Sequence, residues 1–219
     1  MKREALKTLL EKSGQKYSEI LGIKLEASSD KEVFKWFLAS LLFGAPITES
    51  SVTKTYRCFQ KYHVLLPEKI LKTGWNGLVK ILDEGSYTRY DFKTADKLLL
   101  VMTNFEKNYN GSLNLLHREA LDSGDLEKRL KQLGKGVGDV TVSIFLRDLR
   151  GIWKKADPRP TPLVILAATN LGIIKSRQSE KVLEGLKEFW NRNRIEGFTF
   201  VNFETALLRL GKEQRRRRR

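Results

Sequence analysis

The 219-residue chain carries 41 Lys and Arg against 26 Asp and Glu, a net charge of +15, of which the terminal run Arg215 to Arg219 supplies only five. A field of that sign selects polyanionic partners, nucleic acid or an anionic membrane surface, and 41% hydrophobic residues with four Trp exclude global disorder. One cysteine, Cys58, and two histidines exclude an intramolecular disulfide, an all-N/S tetrahedral zinc site and a cysteine-ligated iron-sulfur cluster.

Low proline content and apolar residues recurring every three to four positions predict an all-α protein of about ten helices. The first spans about Arg3 to Ile20. The second opens after the N-cap candidate Ser29 and carries Phe34, Phe37, Leu38, Leu41 and Leu42 up to Gly44-Ala45-Pro46. A third opens near Thr48 with Val52, Tyr56, Phe59 and Tyr62. Two short helices are expected at Pro67 to Lys72 and Gly77 to Leu82, then a long one from Phe92 to Lys107 stopped by Asn110-Gly111. Further helices are expected at Leu113 to Leu121, Asp125 to Leu133 and Asp139 to Gly151, then at Pro162 to Asn170, Ser179 to Asn193 and Val201 to Leu210. Three of the five prolines, Pro158, Pro160 and Pro162, force extended backbone and mark a lobe boundary. The longest apolar stretch, Trp36 to Phe43 with Ser40 inside it, is far short of a membrane span. An intracellular monomer, cytoplasmic or nucleoid-associated, is the expectation.

The most specific feature is Leu133-Gly134-Lys135-Gly136-Val137-Gly138, set between two amphipathic helices. Glycines on either side of Val137 allow a sharp turn while Val137 plugs the gap between the helices. The free amides opening the next helix then point outward, where unsatisfied N–H groups and the positive end of the helix dipole suit a phosphate oxygen. Lys135 at the tip is a candidate second contact. An ordinary glycine-rich turn between packed helices is the bland alternative.

Leu133 to Leu149, LGKGVGDVTVSIFLRDL, resembles the helix-hairpin-helix of the endonuclease III superfamily of base-excision DNA glycosylases. LLFGAPITESSVTKTYRCF (Leu41 to Phe59), Gly85-Ser86-Tyr87 with the helix from Phe92, and Tyr109-Asn110-Gly111 are similar to successive pieces of the same family. Near the end, Gln214 stands where many members place their first cluster cysteine. The resemblance implies two all-α lobes: a six-helix lobe over 30–150 ending in the hairpin, and a second lobe from 1–29 with 151–214, followed by a basic tail, 215–219. It implies duplex DNA as partner, eversion of a base to expose its glycosidic bond, and no cluster, leaving room for a monovalent cation at the hairpin.

The family's site residues transfer with departures. Bifunctional members carry a Schiff-base lysine two positions after the last hairpin glycine; here that position is Val140, so the usual lyase chemistry is not expected. Monofunctional relatives use water assisted by an aspartate near the start of the following helix, for which Asp157 is the candidate, although a match on Thr161-Pro162 places that position at Pro160. An Asp-Pro turn is the structural alternative for Asp157. Lys135, Gly136, Val137, Gly138, Lys154 and Lys155 are the DNA-binding candidates, with Lys154 and Lys155 equally readable as solvated charges. Ala45-Pro46-Ile47 is an apolar wedge candidate for the gap left by an everted base. Asp148, between Arg147 and Leu149 and near Arg150, reads as an ion-paired surface group, while Trp36, Phe37, Tyr56, Tyr62 and Cys58 read as core. His63 and His117 show no triad pattern. The leading expectation is a monofunctional DNA glycosylase, with a non-enzymatic helix-hairpin-helix DNA-binding protein second and an RNA- or ribosome-binding protein third.

Overall fold

The computed structural model describes residues 1–175 and 179–217, the side chains of 179 and 180 excepted. Among them are twelve α-helices, one 3-10 turn and no strand. The chain divides into two compact units, residues 21–157 and residues 1–20 with 158–219. The sequence reading divided it at 30 and 150 instead. Residues 151–157, with Asp157, fall in the unit that holds the hairpin.

In the first of these units α3 (Asp30–Phe43) is the central element, with nine of its residues buried. Ser29 caps it by accepting from the Glu32 amide. Its aromatic face fixes the neighbours: Phe37 meets Phe145 edge to face at 5.2 Å, Phe34 stacks on Phe105 at 6.2 Å, and the Trp36 indole donates to the Phe145 carbonyl at 2.9 Å. Fully burying one such ring stabilises by about 1.5–3 kcal/mol. Around α3 lie α4 (Glu49–Lys61), α7 (Leu113–Glu119) and α9 (Asp139–Asp148), while α5 (Pro67–Glu84) and α6 (Asp91–Tyr109) form a closely packed pair. The connection between α7 and α9 is α8 (Ser123–Gln132) and the glycine-rich hairpin. The two short helices expected before α6 are one helix kinked at Gly74, whose φ of 66° and ψ of 176° glycine alone adopts cheaply.

In the second unit α12 (Phe200–Arg217) is central and packs closely on α10 (Pro162–Asn170), with α1 (Arg3–Ser13) also against it; α2 (Tyr17–Ile20) and α11 (Ser179–Arg192) complete the unit. Gly211 sits so close to Leu163 that an added Cβ would lie 2.1 Å from its carbonyl oxygen. The single N-terminal helix expected over Arg3 to Ile20 is broken at 14–16. Side chains from α12 take its carbonyls: Asn202 donates to the Gly14 carbonyl at 3.0 Å, and Arg209 donates to those of Ser13 and Gln15 at 2.6 Å each. Tertiary partners outside the helix thus replace the bonds a continuing helix would have made. At the other end, α12 runs past Leu210 through Arg217, so the first three arginines of the expected tail are helical, where positive charge suits a helix C-terminus. Arg218 and Arg219 lie outside the described residues.

Candidate nucleic-acid interface

The hairpin is built by backbone conformation and by one supporting helix. Gly136 has φ +97°, a region L side chains rarely adopt, and Val137 is buried while Lys135, Gly136, Gly138, Asp139 and Val140 are exposed. The turn closes through a bond from the Val137 amide to the Gly134 carbonyl, 3.1 Å. Gly138 caps α9 with no side-chain oxygen, so the opening amides of α9 face outward without the usual cap. The plug role read for Val137 and the exposure expected of Lys135 both fit this geometry. Asp139 lies in the same first turn, 88% exposed, and its carboxylate pairs with Lys131 at 2.5 Å. It adds a negative charge at the mouth of an otherwise positive site.

Beneath the hairpin, α6 presents a stripe at helical spacing: Lys97, Leu100, Val101 and Asn104. A Cβ on Gly136 would meet the Lys97 stem at 2.9 Å, and one on Gly134 would meet Val101 at 2.9 Å and Leu100 at 3.4 Å. The Asn104 amide donates to the Leu133 carbonyl at 2.9 Å. Sequence reading passed over this stripe because it looks like any amphipathic helix. The polar residues at its two ends, seven positions apart on the apolar face, were the available signal.

Lys97 also reaches the loop after α3. Its ammonium donates to the Leu41 carbonyl at 2.7 Å, and the Tyr87 hydroxyl donates at 2.5 Å to the Leu42 carbonyl, which also accepts from the Ala45 amide at 3.3 Å, so side chains hold the last turn of α3. Burial lowers the Lys97 pKa to about 8. Gly44 approaches α9 so closely that a Cβ would stand 2.1 Å from the Thr141 hydroxyl. Ala45, Pro46 and Ile47 follow; Pro46 is exposed, the other two half-buried, and a bond from the Ile47 amide to the Ala45 carbonyl at 2.8 Å tightens the turn. The chain leading into the wedge candidate, at Leu41 and Gly44, and the hairpin are therefore both held against α6 and α9.

Asp157 sits at the end of a tight, irregular segment that follows α9. Gly151 turns it with φ +83°, and a bond from the Arg150 guanidinium to the Asp157 carboxylate closes it. Asp157 is 39% exposed at its side chain, whereas Arg150 is nearly buried. The middle of the segment is fastened to α7: Trp153 stacks on His117 at 4.5 Å and donates to Asn114 at 3.0 Å. The Lys155 ammonium donates to the His117 carbonyl at 2.8 Å and the Arg118 carbonyl at 3.1 Å, which caps the C-terminus of α7. Neither reading of Lys155 as a phosphate contact or as a solvated charge anticipated that anchor. Lys154 next to it is exposed. Desolvation, then the charge of Lys155, lowers the His117 pKa.

Two other readings change. Asp148 pairs with Arg147 as expected, but the pair is buried, 0% and 3% exposed at the side chains, rather than on the surface. Tyr62 is 47% exposed and donates to Glu84 at 2.6 Å, whereas Trp36, Phe37, Tyr56 and Cys58 are core. Gln214, at the place of a cluster cysteine, accepts from the Asn170 amide at 2.7 Å. Val140, at the place of the lyase lysine, is 61% exposed.

No family model and no curated protein sequence matches the chain. Among solved structures, that of H. pylori 3-methyladenine DNA glycosylase (MagIII) bound to 1,N6-ethenoadenine matches with a TM-score of 0.56, at 14% identity, over 94% of this chain and 99% of that one. No helix among the described residues is long and apolar enough to cross a membrane. With helices throughout, a glycine hairpin joining α8 to α9, and alignment over nearly the whole length of both chains, this protein shares the all-α, endonuclease III-like fold of that structure.

Proposed function

We propose that the protein is a monofunctional DNA glycosylase of base-excision repair: it binds duplex DNA, everts a damaged or mismatched base and hydrolyses the N-glycosidic bond. One observation carries the proposal: Gly136, Gly138, Asp139 and Val140 are exposed around the buried Val137 and open α9 on a hairpin buttressed by α6. Outward amides at a helix N-terminus bind a phosphate without reading sequence, as an enzyme that searches duplex DNA requires. Lys135 and Lys154 add attraction that weakens with salt. Ala45, Pro46 and Ile47 supply an apolar wedge for the space an everted base leaves.

Asp157 is assigned to the chemistry. As a carboxylate it stabilises positive charge developing at C1′ while water adds there, the C1′–N bond breaks and the base departs with a proton. Arg150 holds that carboxylate in one orientation. With Val140 at the lyase position no Schiff base forms, so borohydride trapping is expected to give no adduct. The reaction needs no cofactor on this reading. The test is incubation with duplexes each holding one modified or mismatched base, followed by hot alkali to reveal abasic sites. Strand breaks at one modified base, lost in Asp157→Asn, support the assignment.

A second reading, a DNA-binding protein without catalysis, is favoured by the same ion pair, because Arg150 occupies lone pairs that a general base would use. Duplex binding without cleavage of any substrate supports that reading over the first.

A further inference from the structure

We propose that Lys97 is a positioning residue that locks the hairpin and the Ala45–Ile47 loop together as one unit. Its stem lies under Gly136, where a Cβ would come within 2.9 Å of it, and its ammonium holds the Leu41 carbonyl at 2.7 Å in the last turn of α3. Leu41 lies in the helix end that leads into the Ala45–Ile47 loop, so this one side chain touches both the hairpin and the helix that carries the loop. Asn104, Leu100 and Val101 touch the hairpin alone. Among the described residues Lys97 has a single hydrogen-bond acceptor and no carboxylate partner, so ion pairing does not account for a lysine placed there. Partial burial of an ammonium costs free energy unless its bonds offset it, and the groups this one joins lie four positions before the wedge candidate on one side and in the hairpin on the other.

If hairpin and loop are the parts that touch DNA, as the proposed function holds, then a phosphate seated on the Gly136 side and an apolar wedge entering the stack must keep a fixed separation, and Lys97 sets it. Of the elements around Lys97, α6 carries Lys93 and Asp96 close to it in sequence, the hairpin and its flanks carry Lys131, Lys135 and Asp139, the second half of α5 carries Lys80, Asp83 and Glu84, and the last two turns of α3 carry no charge.

The test reads the coupling with and without DNA. Carbonyl-carbon chemical shifts of Leu41 and Gly136 are followed from about pH 7 to about pH 9.5 in the full chain, in wild type and in Lys97→Met. The expected result is one inflection shared by both carbonyls near pH 8, absent from Lys97→Met. Inflections at separate midpoints, or profiles that stay flat across the pH at which the Lys97 ammonium itself titrates, overturn the inference using wild type alone, whether or not the variant folds. In parallel, affinity for an undamaged duplex is expected to fall about tenfold in Lys97→Met and to recover to within about threefold in Lys97→Arg. Shared inflections with no duplex binding by wild type uphold the positioning role and overturn the DNA reading. Duplex binding that Lys97→Met leaves unchanged overturns the positioning role and upholds the DNA reading.

Discussion

The hairpin and the segment that ends at Asp157 lie on either side of α9 and are held in opposite ways. The hairpin is nearly all backbone: glycines, one buried valine, and a support helix that meets it through four side chains at regular spacing. The 149–157 segment is held by side chains, with Trp153 on His117, Lys155 on two carbonyls of α7 and Arg150 on Asp157. A site that binds any phosphate needs only amides in a fixed direction, which backbone supplies. A carboxylate that must face one atom of a substrate needs its own set of partners, and these come from wherever the fold brings them.

Substitutions sharpen the contrast. The largest effect is expected at Asp157, where Asn removes the charge and should lower base release by about a hundredfold or more with duplex affinity unchanged; activity that survives the change breaks the assignment. Next is Gly136→Ala. Its φ of +97° and the Lys97 stem at 2.9 Å oppose a side chain, so a loss of about 1–3 kcal/mol in stability is expected by denaturant titration, with weaker duplex binding. Gly138→Ala has φ −99° and open space, so it should cost less than about 1 kcal/mol. Equal costs at the two glycines would contradict the conformational account.

Lys155→Met removes the cap of α7 and is expected to cost about 1 kcal/mol with little change in the salt dependence of DNA binding. Lys154→Met should do the reverse, leaving stability intact and reducing the slope of log affinity against log salt by about one. Asp139→Asn, at the mouth of the hairpin, is expected to raise duplex affinity a few fold while weakening α9 slightly, since the lost charge opposed phosphate but favoured the helix dipole.

The smallest expected effect is in the pH dependence of stability. The lowered pKa of His117 means the unfolded chain binds its proton more readily. That contribution is present above the unfolded value and is lost as pH falls through the lower folded value. His117→Gln should flatten the acid limb of the stability profile, and an unchanged limb would show that the stack on Trp153 tolerates the proton.

The two regions also differ in how much of them a sequence reader could see. Glycines at 134, 136 and 138 with valine at 137 specify a turn by conformational need alone, so the hairpin and the caps at Ser29 and Thr48 were legible. The break in the N-terminal helix was not, because the cause is Asn202 and Arg209, nearly 200 positions away. Nor was the anchor of Lys155, since nothing local marks which of two adjacent lysines will meet the end of α7. Burial of the Arg147 and Asp148 pair escaped notice because adjacent charges on a helix usually face water. Contacts of long sequence separation, more than local propensity, decided the first two of these cases.

The central claim is that the amides opening α9 grip the DNA backbone. It is tested most directly by following backbone amide shifts as a short undamaged duplex is added to the full chain. The account predicts that Gly136, Gly138, Asp139 and Val140 shift most and saturate together, with Ala45 and Ile47 next. Shifts confined to the arginines at the end of α12, with the hairpin silent, would contradict it.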